Sequence, residues 1–342
     1  MDKISTIGID IAKNVFQVHA TGPDGGTVLC RRLRRDNVAK FFASIPPCLV
    51  GIEACGTSHH WAREIAAFGH DVRLMPPRYV RPYIKRNKND AADAEAICEA
   101  VRRPNMRFVP VKTTKQQAVL IEHAVRDLLV YQRTQLVNAL RGHLAEFGIV
   151  APQGLHRVRE LTAIVDGSDV RLPDAARAAL RFVLDELAGV DARIAAIEAG
   201  IAKSAKADQT AKRLMTIPGI GPIIASRLVA TVADPGVFRS GRDLAAFIGL
   251  VPRQHSTGGK ARLGRITKQG NGALRRLFIN GAMAAMRQSK VLSADPWLLR
   301  LRGRKPPLVV AVALANKMAR AAWAVMTRED DWRSRPGEAA TA

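Results

Sequence analysis

The spacing of apolar and polar positions changes once along the chain, near residue 112. Before that point short apolar runs are broken by turn residues; after it, apolar pairs recur every three to four positions. STIGIDIAKNVFQVHA (5–20) is rich in β-branched residues and ends at the turn cluster TGPDGG, and TVLCRRLRR (27–35) resumes as a strand with basic alternation. The two predict a hairpin around Pro23, Asp24, Gly25 and Gly26. CLVGIEA (48–54) is a short apolar run ending at Glu53, the pattern of a buried strand. Residues 58–68 have helical spacing that Gly69 stops, and DVRLM (71–75) is a further strand closed by Pro76 and Pro77. A helix fits 90–101, ending before Pro104. The order β-β-β-α-β-α predicts a mixed sheet flanked by helices.

Between 116 and 147 the pairs Val119/Leu120, Ala124/Val125, Leu128/Leu129 and Leu136/Val137 predict a long helical stretch. Residues 151–173 read as a polar connection holding Pro152, Gly154, Gly167 and Pro173. A heptad follows: Leu180, Val183, Leu187, Val190, Ile194, Ile197 and Ile201 alternate spacings of three and four, which aligns them on one seam. Such a seam serves either a coiled-coil contact between copies or a helical hairpin packed on 116–147; the spacing does not choose. The last third begins near Arg213 and carries helical stretches at 272–290 and 307–327 around a Gly- and Arg-rich loop. The tail from Arg328, REDDWRSRPGEAATA, reads as disordered. The expected fold class is α/β plus all-α. Its segments are a mixed-sheet domain at 1–111, a helical region at 112–210, a further helical domain at 211–327 and the tail at 328–342.

With 342 residues, 47% of them hydrophobic, the chain can bury two or three cores, and general disorder is excluded. The 53 Lys and Arg against 30 Asp and Glu give a net charge of +23, so a polyanion is the default partner. That charge is unevenly placed: 13 of the 53 lie between Leu250 and Pro307 beside a lone acid, Asp295, and five lie at 78–88. The N-terminus MDKISTIGID has no basic region leading into an apolar one. The run PLVVAVALA from Pro307 is short and interrupted by Lys317 and Arg320, so it reads as a core helix and no membrane partner is expected. The four cysteines form no CxxC pair, which argues against a zinc ribbon or disulfide frame and fits a reducing cytoplasm.

Four carboxylates stand in unusual places. Asp10 lies mid-strand in IGIDIAK and Glu53 ends LVGIE, where an isolated charge is expensive. Asp90 and Asp93, in KNDAADAEA, share a helix face. Converging at one end of a sheet, the four match what hard divalent cations require, and two such ions clamp a phosphodiester. Structural roles fit as well: a turn or cap for Asp10, a helix cap for Asp90 and a first-turn charge for Asp93. Beside them RYVRPYIKRNK offers Arg78, Arg81, Lys85, Arg86 and Lys88 with two tyrosines interleaved, suited to phosphates and bases or to a solvated surface.

IPGIGPIIA (217–225) fits a helix-hairpin-helix, where Gly219 and Gly221 let backbone approach a phosphate; a plain helix–helix turn fits too. Further on, Ser256 and Thr257 sit among Arg253, His255, Lys260, Arg262, Arg265 and Lys268. A serine nucleophile needs an accessible hydroxyl and nearby cations, and a phosphate-binding loop needs the same residues.

Taken in order, IGIDIAKNVFQVHA, GIEACGTSHHWA, KNDAADAEAI, IPGIGPIIA and GLVPRQHSTGGKARLGRITKQGN resemble the insertion-sequence transposases of the IS-one-ten type, in their IS-eleven-eleven branch. The resemblance runs from about residue 5 to 290. It implies a resolvase-like N-terminal domain of the ribonuclease-H superfold, a coiled-coil connector and a C-terminal transposase domain. The family's Asp-Glu-Asp-Asp tetrad falls on Asp10, Glu53, Asp90 and Asp93 and implies bound Mg²⁺. Its DNA-linked serine falls on Ser256, although Thr257 follows where some relatives have a second serine. It also implies donor and target DNA and a structured guide RNA as partners; since strand exchange between duplexes requires several active sites, a homo-oligomer, dimer or tetramer, paired through the heptad coiled coil is expected.

The reading that follows is a DNA recombinase that mobilises its own element. Two others use the same residues: a metal-dependent junction nuclease with water as nucleophile, and a non-catalytic nucleic-acid scaffold. An actin-like ATPase, loosely suggested by GIDIAKN and PDGG, lacks a second phosphate loop.

Overall fold

The computed structural model describes residues 4–85, 89–150, 154, 157–255, 257–258, 260, 262–288 and 295–333. The chain divides into two compact units, Met1–Thr114 and Lys115–Ala342.

The first unit is built on five strands: β1 (Thr6–Ile11), β2 (Val15–Thr21), β3 (Thr27–Arg34), β4 (Leu49–Glu53) and β5 (Asp71–Met75). Their order is β3-β2-β1-β4-β5. β1, β2 and β3 form an antiparallel meander, while β1, β4 and β5 run parallel. The segment read as one extended run at 5–20 is therefore two strands, which turn back at Ala12–Asn14 without glycine or proline to mark the bend. β3 is the outer strand, and its exposed Arg31, Arg32 and Arg34 protect the edge from pairing with another chain.

Alternation along β1 decides what each face touches. Ile7 and Ile9 point to one side, into a core shared with Val50, Ile52, Phe42 and Ile65 under α1 (Val38–Ala43) and α2 (Ser58–Ala66). Thr6, Gly8 and Asp10 point to the other, which α4 (Asp90–Val101) covers after the short α3 (Pro77–Val80). The helix lies almost on the backbone. A Cβ on Gly8 would stand 2.2 Å from the Ala94 carbonyl oxygen, and one on Gly51 would stand 2.8 Å from Val101 Cβ. Gly8 and Gly51 are partners in the β1–β4 register, so together they make a flat floor for α4.

The second unit is helical: α5 (Thr114–Ala145), α6 (Val158–Asp166), α7 (Asp174–Ala207), α8 (Gln209–Met215), α9 (Pro222–Thr231), α10 (Gly241–Ile248), α11 (Gly272–Arg287), α12 (Pro296–Arg302) and α13 (Pro307–Arg328). A two-stranded hairpin, β6 (Pro252–Gln254) and β7 (Leu263–Ile266), stands between α10 and α11. α6 occupies part of the stretch expected to be a polar connection; its Leu161 and Val165 are apolar positions four apart that bury one face.

The heptad seam is filled from within the chain. Leu180, Leu187, Val190, Ile194 and Ile201 are buried, and Leu180 and Leu187 share a core with Val137, Leu140 and Leu144 of α5. Arg126 pairs with Glu198 and Arg133 with Asp191, so α5 and α7 run antiparallel. Leu180 and Leu187 of the seam thus pack on α5 within the chain, as in the helical hairpin that the heptad allowed. α5 instead exposes Ile121, Val125, Leu128 and Tyr131 on its outer side.

α13 is 22 residues with a mean hydropathy of 1.5, long and apolar enough to cross a membrane by those measures alone. Its Val310, Ala311, Leu314, Ala315, Met318 and Ala319 lie in the core that α9, α10 and α11 build. The start of the tail is also tied down, contrary to the reading of disorder from Arg328. Trp332 packs on that core, its N–H donates to Thr216 Oγ1 at 2.9 Å, and Glu329 pairs with Arg213. The rest of the tail lies outside the described residues.

Candidate functional site

The sequence repeats a short pattern in the two central strands: Gly8-Ile9-Asp10 in β1 and Gly51-Ile52-Glu53 in β4. Side chains two apart share a face, so each acid lies on the side of its floor glycine, the side that α4 covers. Because Ile9 and Ile52 are register partners, Asp10 and Glu53 end up side by side where the parallel strands finish. α4 runs against β1: Cys98 Sγ contacts the Thr6 carbonyl while Ala94 lies over Gly8. One helical turn back, about 5.4 Å, brings the start of α4 toward the level of Asp10. All four predicted acids thus belong to one edge of the sheet.

The cap of α4 narrows what Asp90 does. Asn89, not Asp90, is the N-cap, and its side chain accepts from the Ala92 N–H at 2.8 Å. Asp90 is exposed in the first turn. Asp93 is half-buried, and its Oδ1 is a buried oxygen without a hydrogen-bond partner. An orphaned carboxylate oxygen is costly and is the atom a cation would satisfy. Asp93 Oδ1 is thus an oxygen donor of the kind that a hard divalent ion takes. Among the described residues no three His, Cys, Asp or Glu side chains stand close enough to share one ion, so the acids flank the edge without enclosing a point.

The field of this edge is felt by Cys55, whose thiol is pushed up by burial and then by the charges of Glu53 and Asp10. Beyond it His59 is locked against Lys112. Its Nδ1 accepts the Lys112 N–H at 3.2 Å, and its Nε2 lies 3.0 Å from Lys112 Nζ. Burial and then the Lys112 and Arg63 charges bring His59 down to about 4, which keeps the ring neutral. Arg63 closes the arrangement by donating to the Lys112 carbonyl at 2.6 Å.

The basic segment at 78–88 is partly helical. Pro77 opens α3, and a single 3₁₀ turn, Arg81–Tyr83, follows. Arg78 covers the Tyr79 ring at 4.7 Å, Arg81 is exposed, and Lys85 donates to Glu95 at 2.6 Å. Arg86 and Lys88 lie outside the described residues.

In the second unit the hairpin presents a different surface. β6 is exposed throughout and β7 nearly so, with Arg253, Lys260, Arg262 and Arg265 on the surface. His255 N–H donates to the Arg262 carbonyl at 2.8 Å, and Lys260 N–H to the Thr257 carbonyl at 3.1 Å, so the segment keeps ladder-like pairing beyond the strands. Ser256 belongs to this segment in sequence and lies outside the described residues. From residue 211 onward, the cations that pair with acids among the described residues are Arg213, Arg227, Arg239, Arg276 and Lys317. Among the described residues no acid pairs with Arg253, Lys260, Arg262, Arg265 or Lys268. The root of the hairpin is tight. Gly270, at φ 75°, leaves no room for a Cβ beside the Phe247 carbonyl, and Arg275 donates to the carbonyls of Ile248 and Gln269.

Around IPGIGPIIA the chain forms α8, a turn and α9, and the two glycines part company. Gly219 faces inward: its carbonyl oxygen would stand 2.2 Å from a Cβ on Gly281, so it serves the packing of α11. Gly221 is exposed at the N-terminus of α9, with nothing within 4 Å of its missing Cβ. Sequence reasoning missed Asp127, Arg275 and Arg276, which carry no motif; the two arginines stand out only as members of a basic region.

Comparison with known proteins gives consistent matches. Residues 7–149 match a family profile described as a transposase, and residues 211–295 match that of the transposase IS116/IS110/IS902 family. The chain is 48% identical to a probable family 20 transposase of Pseudomonas aeruginosa, over 96% of this chain and 99% of that protein. It is 41% identical to the transposase for insertion sequence element IS1328 of Yersinia enterocolitica, over 96% and 98%. It is 40% identical to the transposase for insertion sequence element IS1111A of Coxiella burnetii, over 97% and 92%.

Proposed function

The chain belongs to the IS116/IS110/IS902 family of insertion-sequence transposases, and on that premise we propose that it cuts and rejoins DNA with four acids and one serine. Asp10, Glu53, Asp90 and Asp93 are the residues that would hold Mg²⁺, and a bound ion would supply Lewis-acid stabilisation of charge on the scissile phosphate. Ser256 Oγ attacks phosphorus; its proton is lost, the bond to one sugar oxygen breaks, and that oxygen leaves as a hydroxyl. The phosphoserine ester preserves the bond energy, so a sugar hydroxyl of the second strand restores a phosphodiester by the reverse step. Arg253 and Arg262, exposed and unanswered by acids among the described residues, balance the charge that gathers on the non-bridging oxygens.

The observation that carries this reading is the placement of the acids. Two are set side by side by repeated Gly-Ile-acid strands, two sit at the start of the helix that those glycines admit, and one of the four has an orphaned oxygen. The strand order β3-β2-β1-β4-β5 with β2 antiparallel supports a ribonuclease-H-like sheet. Exposed Gly221 at the start of α9 supports backbone contact with phosphate in the manner of a helix-hairpin-helix. Cationic surfaces in both units suit two polyanions, DNA and a structured guide RNA. Exchange between two duplexes calls for several protomers, which would pair through the helical region that carries the heptad.

The test is cleavage of end-labelled element DNA, with any guide RNA that co-purifies retained. Asp10→Ala and chelation of Mg²⁺ are each expected to lower cleavage about a thousandfold or more. Ser256→Ala is expected to abolish both cleavage and the protein–DNA adduct. Cleavage by Ser256→Ala with no adduct in either protein would favour the water-using nuclease. Full activity in Asp10→Ala would overturn the role of the acids.

A further inference from the structure

α11 begins beside a hollow that the motifs do not mark. Lys268, Gly272, Arg275, Arg276, Ile279 and Asn280 line an open cavity of about 340 Å³. It lies at the root of the hairpin, since Lys268 follows β7 by two residues. Lys268 is held in the left-handed region at φ 55°, an uncommon position for a side chain larger than glycine. Its N–H donates to the Gly249 carbonyl, which fixes the turn against α10.

The charge around this cavity is poorly balanced. Behind its wall, Asp127 of α5 receives three guanidinium groups: Arg227 at 2.7 Å, Arg276 at 3.2 Å and Arg126 at 3.7 Å. Glu198 answers Arg126. Arg275 is occupied by two carbonyls, and among the described residues no acid pairs with it or with Lys268. Five cations thus share two carboxylates, and three of the five line the hollow. Arg275 is half-buried while Lys268 and Arg276 reach solvent, so the repulsion among them is partly screened and a bound anion relieves the rest. Positive ends of N–H groups in the first turn of α11 add to the same field.

We propose that this cavity is a phosphate subsite for the nucleic-acid substrate, with Lys268 and Arg276 as the contacting groups. The inference rests on the transposase reading above and adds a binding position to it. Asp127 acts as a positioning residue: its Oδ2 accepts from both Arg227 and Arg276 and sets the Arg276 guanidinium at the cavity wall. Arg275 tethers the turn that carries Lys268. The ligand is a phosphodiester, and duplex DNA or folded RNA could supply it.

The test reads affinity against salt. Removing a cation that neutralises one phosphate lowers the slope of log K on log salt by about 0.9 for duplex DNA and about 0.7 for single strands. Fluorescence anisotropy of the full chain would be measured with a labelled DNA duplex and, separately, with an RNA hairpin. Lys268→Asn keeps a residue that tolerates left-handed backbone, and Arg276→Gln keeps length. Each is expected to lower the slope by the equivalent of about one phosphate, and the pair by about two. Asp127→Asn should lower it less than Arg276→Gln and in the same arm. The arm in which the slope falls identifies the nucleic acid. If the double variant does not fold, Asn280→Asp decides. It places a carboxylate in the cavity without removing a tether, and about tenfold weaker binding is expected. Wild-type slope in the folded double variant, or wild-type affinity in Asn280→Asp, overturns the subsite. Binding does not require cleavage. A lowered slope together with an active Ser256→Ala chain would therefore keep the subsite and remove only the covalent step.

Discussion

The two proposed chemical centres are built in opposite ways. The carboxylate edge sits on central strands, its acids one residue beyond buried isoleucines and two beyond glycines pressed against a helix. The serine segment sits beyond a two-stranded hairpin whose strands are almost wholly exposed, and its order comes from the root. The first places negative charge where burial makes it costly, so position is fixed by packing. The second places positive charge in water, where it costs little and can follow a moving strand. The proposed reaction uses both: a fixed set of acids and an adaptable cationic surface for the DNA.

The sharpest way to break the contrast is to add one carbon to each side. Gly8→Ala forces Cβ against the Ala94 carbonyl, which only a backbone shift relieves. A loss of about 3 kcal/mol is expected in thermal unfolding of the first unit, with cleavage abolished. Gly258→Ala in the hairpin segment meets nothing within 4 Å and has only its φ of 56° to strain. Its expected cost is about 1 kcal/mol. Equal effects in the two variants would remove the distinction between a packed site and an exposed one.

A smaller effect should come from the root. Arg275→Ala removes hydrogen bonds to the Ile248 and Gln269 carbonyls. A loss of about 1–3 kcal/mol is expected, confined to the second unit. Limited proteolysis should speed up between residues 252 and 266, and hydrogen exchange in β1 and β4 should be unchanged.

A pH dependence appears in both units, carried mainly by one histidine in each, with His19 of the first unit also pushed down by burial. His59 in the first unit and His123 in the second are both held at about 4. Burial is the main cause in each, joined by Lys112 for His59 and by Arg227 for His123. Above the ordinary value of 6.5 both folded and unfolded rings are neutral and stability is flat. Below it the unfolded chain takes up protons that the folded chain refuses until about 4, so stability falls as pH drops through that window. His123→Gln should flatten the fall for the second unit only, and His59→Gln for the first. Melting curves taken from neutral pH down to about 4.5 would check this.

The strand positions of Asp10 and Glu53 were legible in the sequence because a charge near the end of an apolar strand violates alternation, and a violation is visible without a structure. The helix that covers them was legible from its spacing. The glycines that seat it were not, since a floor position has no mark apart from its partner strand. The heptad announced a seam and could not say that α5 fills it. Trp332 gave no sign of docking, as a lone aromatic in a polar tail resembles any exposed one. Asp127 gathers arginines from α5, α9 and α11, and a junction between distant segments leaves no local pattern.

The central claim is that both the four acids and Ser256 are needed for the protein to hold DNA covalently. Its most direct measurement is mass spectrometry of the adduct trapped on a nicked, end-labelled element DNA in Mg²⁺. The account predicts a nucleotide phosphoester on Ser256, within the tryptic fragment that begins at Gln254, absent when Asp10 is alanine. A phosphoester on another residue, or an adduct that persists in Asp10→Ala at wild-type yield, would contradict it.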